Sequence, residues 1–331
     1  MSTSLTNYAL PDSRIEVVRL NQQYIRFKKL FGRTGPFPTT VDVDGIDHVL
    51  EVAAGTCAWT LDIAHLQEVY TRLPSMPSST RPESTSKPIQ LYACDISTDK
   101  FPPRDVTDAL GIKTFQQDVT QPFPDELYGK FDLVQAFMLV GSLTEAGWRR
   151  ALENYRRLLK PGGFLFMLET DVALYSTSLP PPPPPLFPLD IDGVMDGLTW
   201  IHSANRLFTG FNINRDLVPN ISSRLPALLT EQSLNIIQEA KAISPVGKLC
   251  KLYRALDGAD LSDDWDDSVQ GTRDVFRGLA QSMLRRSMLE VPKGTPITTQ
   301  EGLNELLAWI FQGLESDGAC HVMTQWIIRR N

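Results

Sequence analysis

Three residues of this 331-residue chain close segments that read as β-strands, and each has the chemistry to touch a nucleotide-like ligand. Gly55 sits in the stretch HVLEVAAGTCAW (48–59), where a strand runs into a turn and then a helix. Glycine there lets the backbone approach a ligand that any side chain would block, and the next helix start offers unsatisfied N–H groups. A lone glycine also serves packing turns, and Ala53 and Cys57 stand where ligand-binding turns usually carry glycine. Asp95 ends the strand-like LYACDIS, where a carboxylate commonly holds paired ribose hydroxyls, although a turn or cap aspartate fits as well. Asp118, in FQQDV, could accept a hydrogen bond from an adenine amino group, with Val119 adding a backbone contact.

These residues need a scaffold, and the hydrophobic pattern supplies one. IDHVLEVA (46–53), IQLYACDIS (89–97), GIKTFQQDV (111–119), KFDLVQAFMLV (130–140) and FLFMLET (164–170) read as strands. TCAWTLDIAHLQEVYTRL (56–73) and EAGWRRALENYRRLL (145–159) read as helices between them. Continuous apolar strands separated by helices imply a parallel sheet covered on both faces and doubly wound. LNIIQEAKAI (234–243) and ACHVMTQWIIRR (319–330) read as late strands pairing antiparallel at one edge. The expected fold is α/β, a mostly parallel seven-stranded sheet with an antiparallel last strand and a helical cap. Its parts are an N-terminal helical lid (1–45), a core (46–171), late strands (234–243 and 319–331), and a cap (172–233 and 244–318). Within the lid, Val17, Leu20, Tyr24, Phe27, Leu30 and Phe31 recur at helical spacing.

Composition narrows the function. With 42% hydrophobic and 21% charged residues the chain can bury a core. A net charge of −7 argues against a general nucleic-acid partner. No apolar run approaches the ~20 residues that cross a bilayer, and the first residues show no secretory pattern. Four scattered cysteines without a C-x-x-C pair fit reduced thiols and a cytoplasmic location. The histidines show no metal-binding spacing, and DDWDD (263–267) lacks that of a calcium loop, so no bound metal is expected. LPSMPSSTRPESTSKP (73–88) reads as a mobile surface loop, and six prolines (180–185) as a stiff polyproline II spacer.

The succession EVAAGT, ACDIS, FQQDVTQPFP, FDLVQAFML and RRLLKPGGFLFMLE resembles a class I S-adenosylmethionine-dependent methyltransferase over roughly residues 46–171. The opening YALPDSRIEVVRLNQQY and the tail MTQWIIRR resemble fungal natural-product methyltransferases. The resemblance implies S-adenosyl-L-methionine as cofactor and a small-molecule acceptor, with no nucleic acid or membrane as partner; a homodimer stays open. It implies that Glu51 and the backbone of Ala53, Gly55 and Thr56 face the methionine part. Asp95 would hold the ribose, Ile96 pack near the adenine, and Asp118 and Val119 hold the base. Gln135, Ala136 and Phe137 would line the sulfonium side, with Tyr8 and Tyr24 closing over the methionine end. Methyl transfer to a hydroxyl benefits from a base, and His202 in the cap is the candidate. Trp200, Phe208 and Phe211 could build the acceptor pocket. An alternative keeps the fold but binds the cofactor without consuming it, as a cyclase, isomerase or regulator. A nicotinamide-dependent oxidoreductase fits less well, since EVAAGTCAW lacks a full G-x-G-x-x-G turn.

Overall fold

Residues 14–38, 40–77, 87–183, 188–285, 289–290 and 296–331 are described by the structure, a computed structural model. Tyr8, residues 78–86 of the Pro/Ser loop and the last two of the six prolines lie outside the described residues. In chain order the elements begin with α1 (Arg14–Leu30), β1 (His48–Val52), α2 (Ala58–Ala64), α3 (Gln67–Tyr70) and β2 (Gln90–Asp95). Next come α4 (Arg104–Ala109), β3 (Lys113–Gln116), β4 (Phe131–Phe137), α5 (Glu145–Leu158) and β5 (Leu159–Thr170). The chain continues with α6 (Ile191–Met195), α7 (Trp200–Ile213), α8 (Ile221–Glu231), β6 (Leu234–Val246) and α9 (Trp265–Arg285). A two-residue ribbon of β7 (Leu289–Glu290) and β8 (Pro296–Ile297) precedes α10 (Gln300–Ser316) and β9 (Ala319–Arg330).

Seven strands form one sheet in the order β3-β2-β1-β4-β5-β9-β6. The first five run parallel, while β9 lies antiparallel between β5 and β6. Strand order reverses at β1 and β4, which opens a crevice above their C-terminal ends. Side-chain alternation then sorts each strand between the two faces. On one face Leu50, Val52, Val134, Ala136, Leu165, Met167, Trp326 and Ile328 pack against Trp148, Leu152 and Tyr155 of α5 and against α8. On the other, Val49, Leu91, Leu133, Phe166 and Ile327 meet Trp59 and Ile63 of α2 and Val69 of α3. Thr144 starts α5 sharply, its hydroxyl accepting from the Gly147 N–H at 3.1 Å, a cap worth about 1 kcal/mol.

Three sequence expectations change. The helix expected over 56–73 divides into α2 and α3, because Leu66 is extended (φ −66°, ψ 134°). The His65 N–H still bonds the Leu61 carbonyl at 3.2 Å, and the Leu66 N–H closes the last turn on the Ile63 carbonyl at 3.1 Å. The fifth strand, expected over 164–170, starts earlier: β5 begins at Leu159 and runs through KPGG, with a register shift against β4 between Phe131 and Leu133. The helix α8 joins the sheet layer and not the cap, because Ile221, Leu225, Leu228 and Leu229 pack into the same cluster as α5. The separate cap cluster is built from α7, α9 and α10 around Ile201, Phe211, Phe276 and Ile310. No helix among the described residues is long and apolar enough to cross a membrane.

Candidate functional site

The turn after β1 is unusually contorted. Ala53, Gly55 and Cys57 all take left-handed backbone conformations, with φ of 51°, 53° and 57°. For a residue with a Cβ that region costs roughly 1–2 kcal/mol. The Cys57 side chain turns into a small buried cluster with Ala54 and Ala93, and the Ala54 and Cys57 N–H groups bond the Cys94 and Ala54 carbonyls. A Cβ on Gly55 would come 3.3 Å from the Leu20 side chain of α1, so the passage there is narrow. Thr56 donates to the Asn21 side chain at 2.6 Å, tying the same helix to the turn. Replacing Ala53 with glycine should therefore stabilise the chain by about 0.5–1 kcal/mol, read as a higher urea midpoint.

Two acids brace this turn. Glu51 is buried at the end of β1, and one of its oxygens accepts from both the N–H (3.0 Å) and the hydroxyl (2.6 Å) of Thr60. Asp95, at the end of β2, accepts from the Gly55 N–H at 2.8 Å and the Ser97 N–H at 3.2 Å. Burial raises the Asp95 carboxyl above its ordinary value, against the opposing pull of those N–H groups. Beyond β3, one oxygen of Asp118 holds the Thr120 N–H and hydroxyl, both at 2.8 Å. Asn154 of α5 fixes that loop by donating to the carbonyls of Val119 (2.9 Å) and Gln121 (2.8 Å).

The β4 end supplies the third wall. Gln135 and Phe137 share the face that opens on the crevice, whereas Ala136 points to the opposite face and packs in the core with Leu50 and Val134. Ala136 is thus removed from the expected set by strand alternation. The Gln135 side-chain oxygen is buried with no hydrogen-bond partner among the described residues. Glu169, fully buried at the end of β5, accepts from the Leu139 (2.8 Å) and Val140 (3.0 Å) N–H groups and so pins the loop after β4.

All these walls face one cavity of about 1150 Å³. Glu51, Ala53, Gly55, Thr56, Asp95, Ile96, Asp118, Val119, Gln135 and Phe137 border it. Its other side belongs to the cap and α1, with Phe27, Leu174, Phe208, Phe211, Phe276 and Leu279. Tyr24 also faces it, its hydroxyl donating to Asp62 at 2.5 Å. The volume is at the upper end of ordinary small-molecule sites, and mixed apolar walls with a few fixed polar groups are what such sites carry.

His202 does not border this cavity. Its ring pairs with the Thr199 hydroxyl at 2.7 Å and packs beside Gly197, at the far side of α7. The helical period is consistent with this, since it sets His202 and Phe211 on opposite sides of α7, and the cavity takes Phe208, Phe211 and Asn212. Trp200 is buried in the cap, donating to Asp317 at 2.9 Å. Arg206 donates to the Met195 and Gly197 carbonyls, and Arg215 lies over Phe211. Residues that sequence reasoning passed over include Arg26, Asn212, Ser244 and His321, which border the cavity from four different elements. Asn212 donates its amide N–H to the Phe208 carbonyl at 2.9 Å, which leaves its buried oxygen without a partner among the described residues. No group of three or more potential metal ligands occurs among the described residues.

Burial pushes the carboxyls of Glu51 up to about 7 and Glu169 up to about 8. Their folded values exceed the unfolded ones, so the folded state binds more protons and stability falls as pH rises through them. His321 is pushed the other way, to about 3, so it contributes pH dependence below its ordinary 6.5. Below that point two carboxyls outweigh the one opposing histidine, and above it they act alone. The melting temperature should drop between about pH 5 and 8 and level off above, and Glu169→Gln should flatten the drop; a flat wild-type profile would contradict this assignment.

Residues 80–167 match the family model described as "Methyltransferase domain". The methyltransferase grgD of Penicillium sp is 30% identical over 145 residues, 42% of this chain and 44% of the relative. The methyltransferase psoC of Aspergillus fumigatus is 30% identical over 167 residues, 50% of this chain and 52% of the relative. The chain thus spans about half the length of the curated relatives it matches. A solved structure of phosphoethanolamine N-methyltransferase 2 from Haemonchus contortus, in complex with S-adenosyl-L-methionine, is 10% identical. It aligns over 98% of this chain and 54% of that chain with a TM-score of 0.39, a likeness too loose to inform on chemistry. The sheet order and the glycine turn give a doubly wound α/β fold, residues 80–167 resemble the methyltransferase domain family, and about half of the chain resembles fungal methyltransferases.

Proposed function

We propose that the chain is an S-adenosylmethionine-dependent methyltransferase acting by in-line transfer on a small-molecule, secondary-metabolite acceptor. One observation carries the reading: a single cavity runs from the glycine turn and strand-end acids to an aromatic cap wall. Its first half suits the cofactor. The side-chain-free peptide at Gly55, the carboxylates of Asp95 and Asp118, and the orphaned Gln135 oxygen would offer an adenosyl amino acid close backbone approach and hydrogen-bond acceptors.

When bound, S-adenosylmethionine supplies a methyl group already activated on a sulfonium. Asp95 would take the ribose hydroxyls with oxygens that the Gly55 and Ser97 N–H groups hold in place. Asp118 and the Val119 backbone would take the base, with Ile96 against its face. Glu51 and the backbone of Ala53, Gly55 and Thr56 would face the methionine end, and Gln135 and Phe137 the sulfur side. Phe208, Phe211 and Phe276 would orient an apolar acceptor, and alignment of this kind supplies several kcal/mol of the barrier reduction.

The test is to incubate the chain with methyl-labelled S-adenosylmethionine and extracts of fungal small molecules. Label in an organic product, with S-adenosylhomocysteine formed in step, supports methyl transfer. Product formed without S-adenosylhomocysteine would replace it with the rearrangement reading.

A further inference from the structure

Among the described residues Arg19, Arg26 and Lys100 border the cavity, and Arg19 is paired with Glu16 at 2.7 Å. Arg26 of α1 projects from the helix into the wall, where its only hydrogen bond to the described residues is a 2.8 Å donation to the Pro245 carbonyl. A guanidinium carries five N–H donors, so most of its donor capacity is unused. No carboxylate forms an ion pair with it among the described residues.

Four titratable groups surround it. Asp264 is already engaged with Lys29 at 3.2 Å. Asp267 is exposed at the rim, where solvent screens it. Cys250 is buried, with its thiol held above the ordinary range. His321 of β9 also borders the cavity and is kept neutral by burial and by Arg26 itself. Beside it in the β6–β9 ladder stands Ser244, buried and also on the cavity wall. The result is a fixed positive charge with two neutral hydrogen-bonding neighbours, set at the end of a chamber lined by Phe27, Phe208 and Phe276.

A half-buried guanidinium with spare donors and no ion-pair partner among the described residues gains from a ligand that supplies an anion. We propose that Arg26 is the anchor of an acceptor-binding subsite for an apolar, ring-bearing molecule carrying a singly charged oxygen anion of the carboxylate type. One cation with the carboxylates of Asp264 and Asp267 already in its field matches a monoanion better than a doubly charged phosphate. The proposal rests on the methyltransferase reading and names the class of acceptor that reading leaves open. Arg26 here is a specificity-determining residue that holds the acceptor's charged end. It also gives α1 a role in selecting the acceptor, since the same helix lays Leu20 and Asn21 against the glycine turn.

The test uses three probes of one shape: 2-naphthoate, 2-naphthol and naphthalene. Each is titrated by fluorescence into the full chain at pH 7, with and without S-adenosylhomocysteine. The wild type should bind 2-naphthoate at least ~10-fold more tightly than either neutral probe. Arg26→Gln should erase that preference and Arg26→Lys should retain part of it, with S-adenosylhomocysteine affinity unchanged in both as the check on folding. Equal binding of the three probes, or a preference that survives Arg26→Gln, overturns the inference. Failure of the wild type to bind S-adenosylhomocysteine would instead sink the methyltransferase reading, while an Arg26-dependent preference for naphthoate would still support the anion subsite.

Discussion

Replacing Asp95 with alanine is expected to weaken S-adenosylmethionine binding by at least ~100-fold while the chain stays folded. Two effects add. The ribose would lose a carboxylate partner, and hydrogen bonds to charged groups contribute roughly 1.5–3 kcal/mol each. The Gly55 N–H, which the carboxylate accepts at 2.8 Å, would also lose its partner, freeing a turn that is already bent at three left-handed residues. Asp95→Asn keeps one acceptor oxygen and should cost less. Calorimetric titration of the three proteins checks the order; equal affinities would remove Asp95 from the site.

The second large effect is expected at Gly55. Valine there meets two obstacles: a φ of 53° that β-branched residues resist, and a Cβ only 3.3 Å from the Leu20 side chain. Gly55→Val should destabilise the fold by about 2–3 kcal/mol and reduce cofactor affinity below detection. Gly55→Ala should lie between, because Leu20 has a flexible end that can yield a few tenths of an ångström. Urea unfolding and calorimetry separate the two losses. A valine variant with wild-type affinity would mean that the ligand does not approach this peptide edge.

Much of this architecture is legible in the chain because parallel strands buried on both faces leave continuous apolar runs. The runs expected as the first four strands contain β1 to β4, those expected at 164–170 and 234–243 fall within the longer β5 and β6, and β6 and β9 pair antiparallel as their patterns imply. Sequence boundaries fail where a local backbone kink decides, as at Leu66. The crevice side is likewise readable, since Gly55, Asp95 and Asp118 each follow a strand end.

What stays hidden is orientation. Ala136 and Gln135 are neighbours in sequence, yet one enters the core and the other the cavity. His202 looked available because it stands in a cap helix, but helix rotation assigned the cavity to Phe208, Phe211 and Asn212. His321 and Ser244 meet only through antiparallel pairing of segments 77 residues apart, and Arg26 reaches them from the opposite end of the chain. No local spacing records such a meeting. The sequence motif therefore describes the half of the cavity proposed for the cofactor, and tertiary packing creates the other half.

Titration calorimetry of the unaltered chain with S-adenosylmethionine, and separately with NAD, tests the central claim most directly. One site per chain for S-adenosylmethionine, with no measurable heat from NAD, is the expected result. Saturable NAD binding, or no binding of S-adenosylmethionine at millimolar concentration, would contradict it.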